Sequence, residues 1–183
     1  MKLPTAEVAL AAEPDIILCD EVTSALDTVV AANVIELLRD LQDRLRVSYL
    51  FISHDLSTVA AFADRIVVLY AGRVAEQGPT ASVLSPPYHP YTKLLLTSVP
   101  EMRQGWLEEV MQTRVAISGI AQGVELLKIG CPFYNRCPMA IEDICNTQAP
   151  PVRQPLKNHD ILCHRKIDEL MEAEQYDQIE ETS

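Results

Sequence analysis

The sequence predicts an α/β protein in which two parallel strands are joined by a long helix and followed by an antiparallel edge hairpin. Three observations support this. An apolar run ends abruptly in the adjacent acids Asp20 and Glu21, a second apolar run covers Ser48–Ser53, and the residues between them repeat with helical spacing. Further along, two strand-like runs flank Ala71 and Gly72, which is a typical hairpin signal.

The first strand carries the clearest functional signal. Its apolar residues, 16–19, predict a buried parallel strand that brings Asp20 and Glu21 to its carboxyl end. Open α/β sheets bind ligands at the carboxyl ends of their strands, so two acids in this position indicate the chemistry of a nucleotide site. Cys19 lies inside the apolar run, and we interpret it as a core residue.

The segment between the two apolar runs predicts one amphipathic helix. Its apolar residues recur at helical spacing among charged residues, and they are Val29, Val30, Val34, Ile35, Leu37, Leu38, Leu41 and Leu45. A connection of this length between strands implies a right-handed parallel crossover.

The next segments predict a short helix over Leu56–Ala63 and a hairpin formed by Arg65–Tyr70 and Arg73–Gln77. Five prolines in residues 79–100 then bracket a short helix and a longer one over Tyr91–Val99. Residues 101–130 show a mixed helical pattern only near Trp106–Met111, and we interpret them as a connector.

Four cysteines dominate the carboxyl-terminal part. Cys131, Cys137, Cys145 and Cys163 have the spacing C-x5-C-x7-C-x17-C. Because no export signal precedes them, reduced thiols that bind a metal or cluster are favoured over disulfides. Four thiolates suit zinc or an iron–sulfur cluster equally well, and the spacing does not choose between these two.

Several ordered motifs resemble those of one protein family. Ile16–Glu21 resembles the Walker B segment of ATP-binding cassette (ABC) ATPases, Ser24–Asp27 their D-loop, and Phe51–Asp55 their H-loop. The segment His89–Leu95 is similar to one that marks the oligopeptide and dipeptide importers among these ATPases. The resemblance therefore implies a partial P-loop NTPase sheet of the ABC type, with ATP and Mg²⁺ as ligands of the intact subunit.

The resemblance also assigns roles to individual residues. Asp20 would hold Mg²⁺ through coordinated water, and Glu21 would orient or deprotonate the attacking water. Ser24 and Asp27 would contact a second ATPase cassette, and His54 would contact the γ-phosphate.

Two family motifs are missing from this chain. None of the six glycines is followed by lysine, so there is no G-x-x-x-x-G-K-[S/T] loop to hold the phosphates. The LSGGQ signature is also absent before Asp15. The chain therefore resembles the carboxyl-terminal portion of a cassette, and we expect it not to turn over ATP alone.

The resemblance divides the chain into four parts. Residues 1–78 would be cassette, 79–130 a helical connector, 131–165 a small irregular four-cysteine region and 166–183 an acidic tail. The cysteine block resembles the extension of the peptide-importer ATPases, in which related subunits are associated with a [4Fe–4S] cluster, and this resemblance favours the cluster over zinc.

Composition limits the other functional classes. A net charge of −11 argues against nucleic acid as a partner. No export signal or membrane-spanning stretch is predicted, so we expect a cytoplasmic protein, which by resemblance is peripheral on the inner face of the cell membrane beside transmembrane permease subunits. The alternative function is a non-catalytic remnant whose folded activity is a structural or redox-responsive four-cysteine module.

Overall fold

The computed structural model describes residues 13–23, 26–97 and 129–180, and the predictions for Ser24 and for Trp106–Met111 lie outside these ranges. The chain forms two compact units, Met1–Ala63 and Asp64–Ser183. In chain order the elements are β1 (Ile16–Asp20), α1 (Thr28–Leu45), β2 (Ser48–Ile52), α2 (Leu56–Phe62), β3 (Arg65–Tyr70), β4 (Arg73–Pro79), α3 (Thr80–Val83), α4 (Pro90–Thr97), β5 (Val152–Leu156), β6 (His159–Leu162) and α5 (Ile167–Glu180).

The first unit is a parallel two-stranded sheet with helices on one face. β1 and β2 pair in parallel from Ile16↔Ser48 to Asp20↔Ile52, which confirms the predicted pairing. Asp27 caps α1, since its side chain accepts from the N–H groups of the second and third helical residues. Phe62 at the end of α2 packs on aromatic rings of β2, with centroid distances of 5.6 and 5.5 Å.

Within the described residues the other face of this sheet is bare, so the prediction of a buried strand is wrong for β1. Ile16 and Leu18 of β1 are 65% and 61% exposed, and Leu50 and Ile52 of β2 lie beside them with 57% and 45% exposure. Strands that read as continuous apolar runs normally lie in sheets covered on both faces. Here α1 and α2 cover only the face that carries Cys19, which is buried.

The second unit is built on a four-stranded antiparallel sheet in the order β3-β4-β6-β5. The hairpin turn is confirmed, because Ala71 and Gly72 both have positive φ, as a two-residue turn between twisted strands requires. The hairpin does not extend the parallel sheet, which corrects the predicted edge position. Its strand β4 pairs with β6, and this pairing was not predicted because it joins residues more than eighty positions apart.

The cysteine region is more regular than predicted. It contains β5 and β6 in addition to a single 3-10 turn at Tyr134–Arg136. Gly130 has φ +99°, and a Cβ there would lie 2.7 Å from the carbonyl oxygen of Cys145, so glycine is required where the chain enters the region. The predicted acidic tail is largely helical, and α5 is anchored by Leu170, which is buried.

The bare face of the parallel sheet predicts self-association. At concentrations on the order of tens of micromolar, the reduced chain should sediment as oligomers or aggregates, because exposed apolar strands associate in this range. The double substitution of Leu18→Glu and Leu50→Glu should shift the population towards monomer in sedimentation velocity. Val29→Glu, which changes a still more exposed residue on α1, should leave the distribution unchanged. A monodisperse parent chain would contradict the prediction.

Candidate functional site

The carboxyl ends of β1 and β2 bring together the two residues predicted to be catalytic. The backbone N–H of Glu21 donates to the carbonyl oxygen of Ile52 at 3.0 Å, which extends the strand pairing by one residue. Beyond it, the Nδ1 atom of His54 lies 2.8 Å from Oε1 of Glu21. Residues separated by 33 positions in sequence thus form a carboxylate–imidazole pair.

The backbone at Glu21 has an unusual conformation. Its φ of 51° lies in the left-handed region, which side chains other than glycine, asparagine and aspartate rarely adopt. Such positions cost free energy and are concentrated at functional sites. The conformation turns the chain sharply after Asp20, which is exposed at the strand end.

The pair is open to solvent, with side-chain exposures of 74% for His54 and 40% for Glu21. The hydrogen bond to Glu21 and then its charge raise the pKa of His54, and Asp55 adds to this effect. The two residues predicted to be catalytic are therefore in contact, and this contact favours the protonated imidazole of His54.

The segment after His54 is fixed by a helix cap that the sequence analysis missed. Asp55 accepts from the backbone N–H of Ser57 at 3.0 Å and from the hydroxyls of Ser57 and Thr58. Burial works to raise the pKa of Asp55, but these hydrogen bonds outweigh it and leave the pKa lowered. An acid directly before the apolar start of a short helix was the available signal.

A cavity of about 550 Å³ opens beside the pair. Its walls come from α1, α2 and the loops after β1 and β2. They include Thr23, Ser53, His54, Asp55, Glu36 and Arg39. Arg39 donates to the carbonyl oxygen of Ala61 and so links the two helices. Asp27 faces its own helix cap, with 3.1 and 2.9 Å hydrogen bonds from Val29 and Val30, and Ser24 lies outside the described residues.

The four cysteines lie in the second unit and are free thiols. Cys131 and Cys145 belong to one buried cluster with Phe133, against which Cys137 packs. The backbone N–H of Cys131 donates to the carbonyl oxygen of Cys145 at 2.7 Å. Cys163 is buried in a second cluster with Ile161 and Leu170.

The thiols affect one another electrostatically. Burial raises the pKa of Cys137 to about 12 and that of Cys163 to about 11. The charges of Cys131 and Cys145 add to both increases. Such thiols stay protonated at neutral pH unless a cation compensates the charge, and a bound metal does this.

The donor chemistry therefore suits a four-thiolate centre. However, within the described ranges no three side chains of histidine, cysteine, aspartate or glutamate are arranged closely enough to hold a metal ion. Ligation would have to draw the sulfurs together.

Sequence reasoning also missed a buried polar cluster in the second unit. Glu76 and His159 are both fully buried, and Oε1 of Glu76 lies 2.7 Å from Nε2 of His159. His89 is buried as well, which lowers its pKa to about 4. An acid at an inward position of the hairpin strand was the one available signal, but its partners lie too far along the chain for a pattern to find.

Among the described helices, none is long and apolar enough to cross a membrane.

Residues 75–145 match the family described as oligopeptide/dipeptide transporter, C-terminal region. A putative peptide import ATP-binding protein of Brucella abortus is 43% identical over 156 residues, which cover 85% of this chain and 44% of the relative. A putative peptide import ATP-binding protein of Brucella melitensis is 42% identical over 156 residues, which cover 85% of this chain and 39% of the relative.

A probable peptide ABC transporter ATP-binding protein of Sinorhizobium fredii is 37% identical over 159 residues, covering 86% of this chain and 46% of the relative. The chain thus spans less than half the length of these relatives.

The contact between Glu21 and His54 predicts a shifted titration. In a histidine-detected NMR titration His54 should show a pKa above its ordinary 6.5, and Glu21→Gln should lower it towards that value. Because the pKa is raised in the folded state, the contact stabilises the fold at low pH, and this contribution is lost as the pH rises through that pKa. Glu36→Gln, which removes a nearby carboxylate of α1, should leave the titration unchanged. An unshifted His54 in the parent chain would show that the contact does not form.

Proposed function

Because this chain belongs with the carboxyl-terminal portions of ATP-binding subunits in the oligopeptide/dipeptide importer family, we propose that it supplies half of an ATP-hydrolysing site that energises peptide import. The observation that carries this proposal is the contact between Glu21 and His54 at the ends of two parallel strands. The names of the relatives support the ATPase function class over a non-catalytic cysteine module.

In this proposal Glu21 acts as the general base. Its carboxylate is partly exposed at the strand end, where it can accept a proton from an attacking water. His54 fixes the orientation of this carboxylate through the 2.8 Å contact, and its second ring nitrogen is left to donate to a phosphate oxygen. Asp55 keeps His54 in place by anchoring the following helix.

Asp20 is the residue proposed to hold Mg²⁺ through coordinated water, and when bound that ion would neutralise charge on the phosphates. Its exposed position at the end of β1 suits this role. Ser24 and Asp27 are proposed to face a second ATPase cassette. The hydrogen bonds that Asp27 accepts from Val29 and Val30 fix its side chain at the start of α1.

The rest of the site must come from residues that this chain lacks. A phosphate-binding loop and a signature motif would complete it in the intact subunit, and the bare face of the parallel sheet offers an apolar surface for that missing part of the domain. We place the intact subunit in the cytoplasm, on the inner membrane face beside transmembrane permease subunits.

The boundaries of the proposed family domains also remain a proposal. The cassette would end near residue 78, followed by a connector over 79–130, the four-cysteine region over 131–165 and the acidic tail. The compact structural units divide earlier, after Ala63, because the hairpin shares a sheet with β6.

The four cysteines are proposed to bind one [4Fe–4S] cluster, with zinc as the alternative ligand. Four buried or half-buried cysteines within residues 131–163 support a site of this kind. Bound there, the cluster would supply a structural cross-link between the loop at 131–145 and the end of β6.

Substitution of the proposed base tests the ATPase function. In an intact subunit that carries this chain behind a phosphate-binding loop, Glu21→Gln should lower ATP turnover by at least about a hundredfold, because general base catalysis is lost. ATP binding measured by calorimetry should be retained. His54→Ala should also reduce turnover strongly, whereas Asp43→Asn on α1 should not. Retained turnover in Glu21→Gln would reject the assignment.

Anaerobic purification tests the cysteine site. The protein should be brown, with broad absorption near ~400 nm and about four irons per chain. Serine at any of the four positions should bleach it, but Cys19→Ser should not. Colourless protein with one zinc per chain would replace the cluster by zinc, and metal-free protein with all thiols readily alkylated would remove the site.

A further inference from the structure

We infer that Glu76 and His159 act together as positioning residues for Cys163, by holding the strand that carries this thiol against the hairpin. The inference rests on the four-cysteine site proposed above, and it identifies what sets the position of the one cysteine that lies far from the other three in sequence.

The contact itself is short and completely buried. Nε2 of His159 lies 2.7 Å from Oε1 of Glu76, and both side chains have 0% exposure. The other carboxylate oxygen of Glu76 accepts from the backbone N–H of His89 at 2.8 Å. A carboxylate buried this deeply must keep its partners, because an unpaired buried charge is strongly destabilising.

Few other bonds hold β6 to the hairpin, and one of them is the 2.8 Å bond from the side chain of Gln77 to Asp160. β4 and β6 share two backbone pairs, Glu76↔Ile161 and Gln77↔Asp160. Gly78 allows the close approach, since a Cβ there would lie 3.2 Å from the Cα of His159. The register at the start of β6 therefore depends on His159.

The register of β6 determines the position of Cys163, which directly follows the strand. β6 ends at Leu162, so three residues separate His159 from the cysteine. Ile161 is fully buried in the same cluster as Cys163, and the N–H of Cys163 donates to the carbonyl oxygen of Pro151 at 3.2 Å. In a packed interior a displaced strand carries its neighbours with it.

The other cysteines are held by local contacts instead. Cys131 and Cys145 are joined by a 2.7 Å backbone hydrogen bond, and the N–H of Cys137 donates to the carbonyl oxygen of Tyr134 at 3.2 Å. β4 adds one bond to this loop, from Arg73 to the carbonyl oxygen of Gly130 at 3.1 Å, but none of these bonds involves Glu76 or His159. Loss of the buried pair should therefore expose Cys163 selectively.

Pulsed alkylation of the full chain tests this selectivity. Metal-free, reduced protein is treated with N-ethylmaleimide under native conditions, and modification of each cysteine is followed by mass spectrometry. Glu76→Ala and His159→Ala should each speed modification of Cys163 by at least about tenfold, as expected when the buried bond between them is lost from a local opening equilibrium. Glu76→Ala also removes the acceptor of the His89 N–H. The other three region cysteines should change by less than about twofold.

Two variants serve as controls. Asp160→Asn alters the neighbouring residue of β6, whose carboxylate accepts from Gln77 and Gln154. The amide oxygen keeps one acceptor, so this variant should leave Cys163 slow. Glu76→Gln keeps the side-chain volume and one acceptor, so Cys163 should be modified at a rate between those of the parent and of Glu76→Ala. This variant keeps the test usable if Glu76→Ala folds poorly. The double alanine variant should be no faster than either single one, because the two residues act as a pair.

Equal acceleration of all four thiols, or no acceleration of Cys163 in any of the variants, would overturn the inference. Labelling is done without metal, so its outcome is independent of cluster binding. Iron content of the anaerobic parent protein reports separately on the proposed site.

Discussion

The candidate site depends on the parallel pairing of β1 with β2. The register Asp20↔Ile52 places both strand ends at one edge, and the N–H of Glu21 continues the pairing with Ile52. Because parallel strands need a long crossover, α1 must lie between them in sequence. One backbone register therefore joins Glu21 to His54 across 33 positions.

The second unit relies on a different kind of constraint, a buried polar contact between distant segments. Glu76 and His159 join the hairpin to β6, where apolar packing alone would leave the register less well defined. Buried polar groups of this kind specify one arrangement at the cost of desolvation. The thiol region thus depends on residues of the hairpin that sequence resemblance assigns to the cassette.

Local sequence signals predicted the elements well. The helical spacing of α1, the acids at the end of β1 and the turn at Ala71 and Gly72 each depend on residues close together in the chain. The pairing of β4 with β6 depends on residues more than eighty positions apart, and no local pattern encodes it. Burial of β1 was predicted wrongly. An apolar run indicates that a strand suits a buried position, but whether the strand is buried depends on which other segments pack against it.

The central claim is that Glu21 and His54 work as one unit in hydrolysis. A double-mutant cycle in an intact subunit, with Glu21→Gln, His54→Ala and their combination, measures this directly through single-turnover ATP hydrolysis. We expect the double variant to be scarcely slower than the more damaged single one, because residues that act together lose their contribution only once. Independent, multiplicative losses would contradict the account.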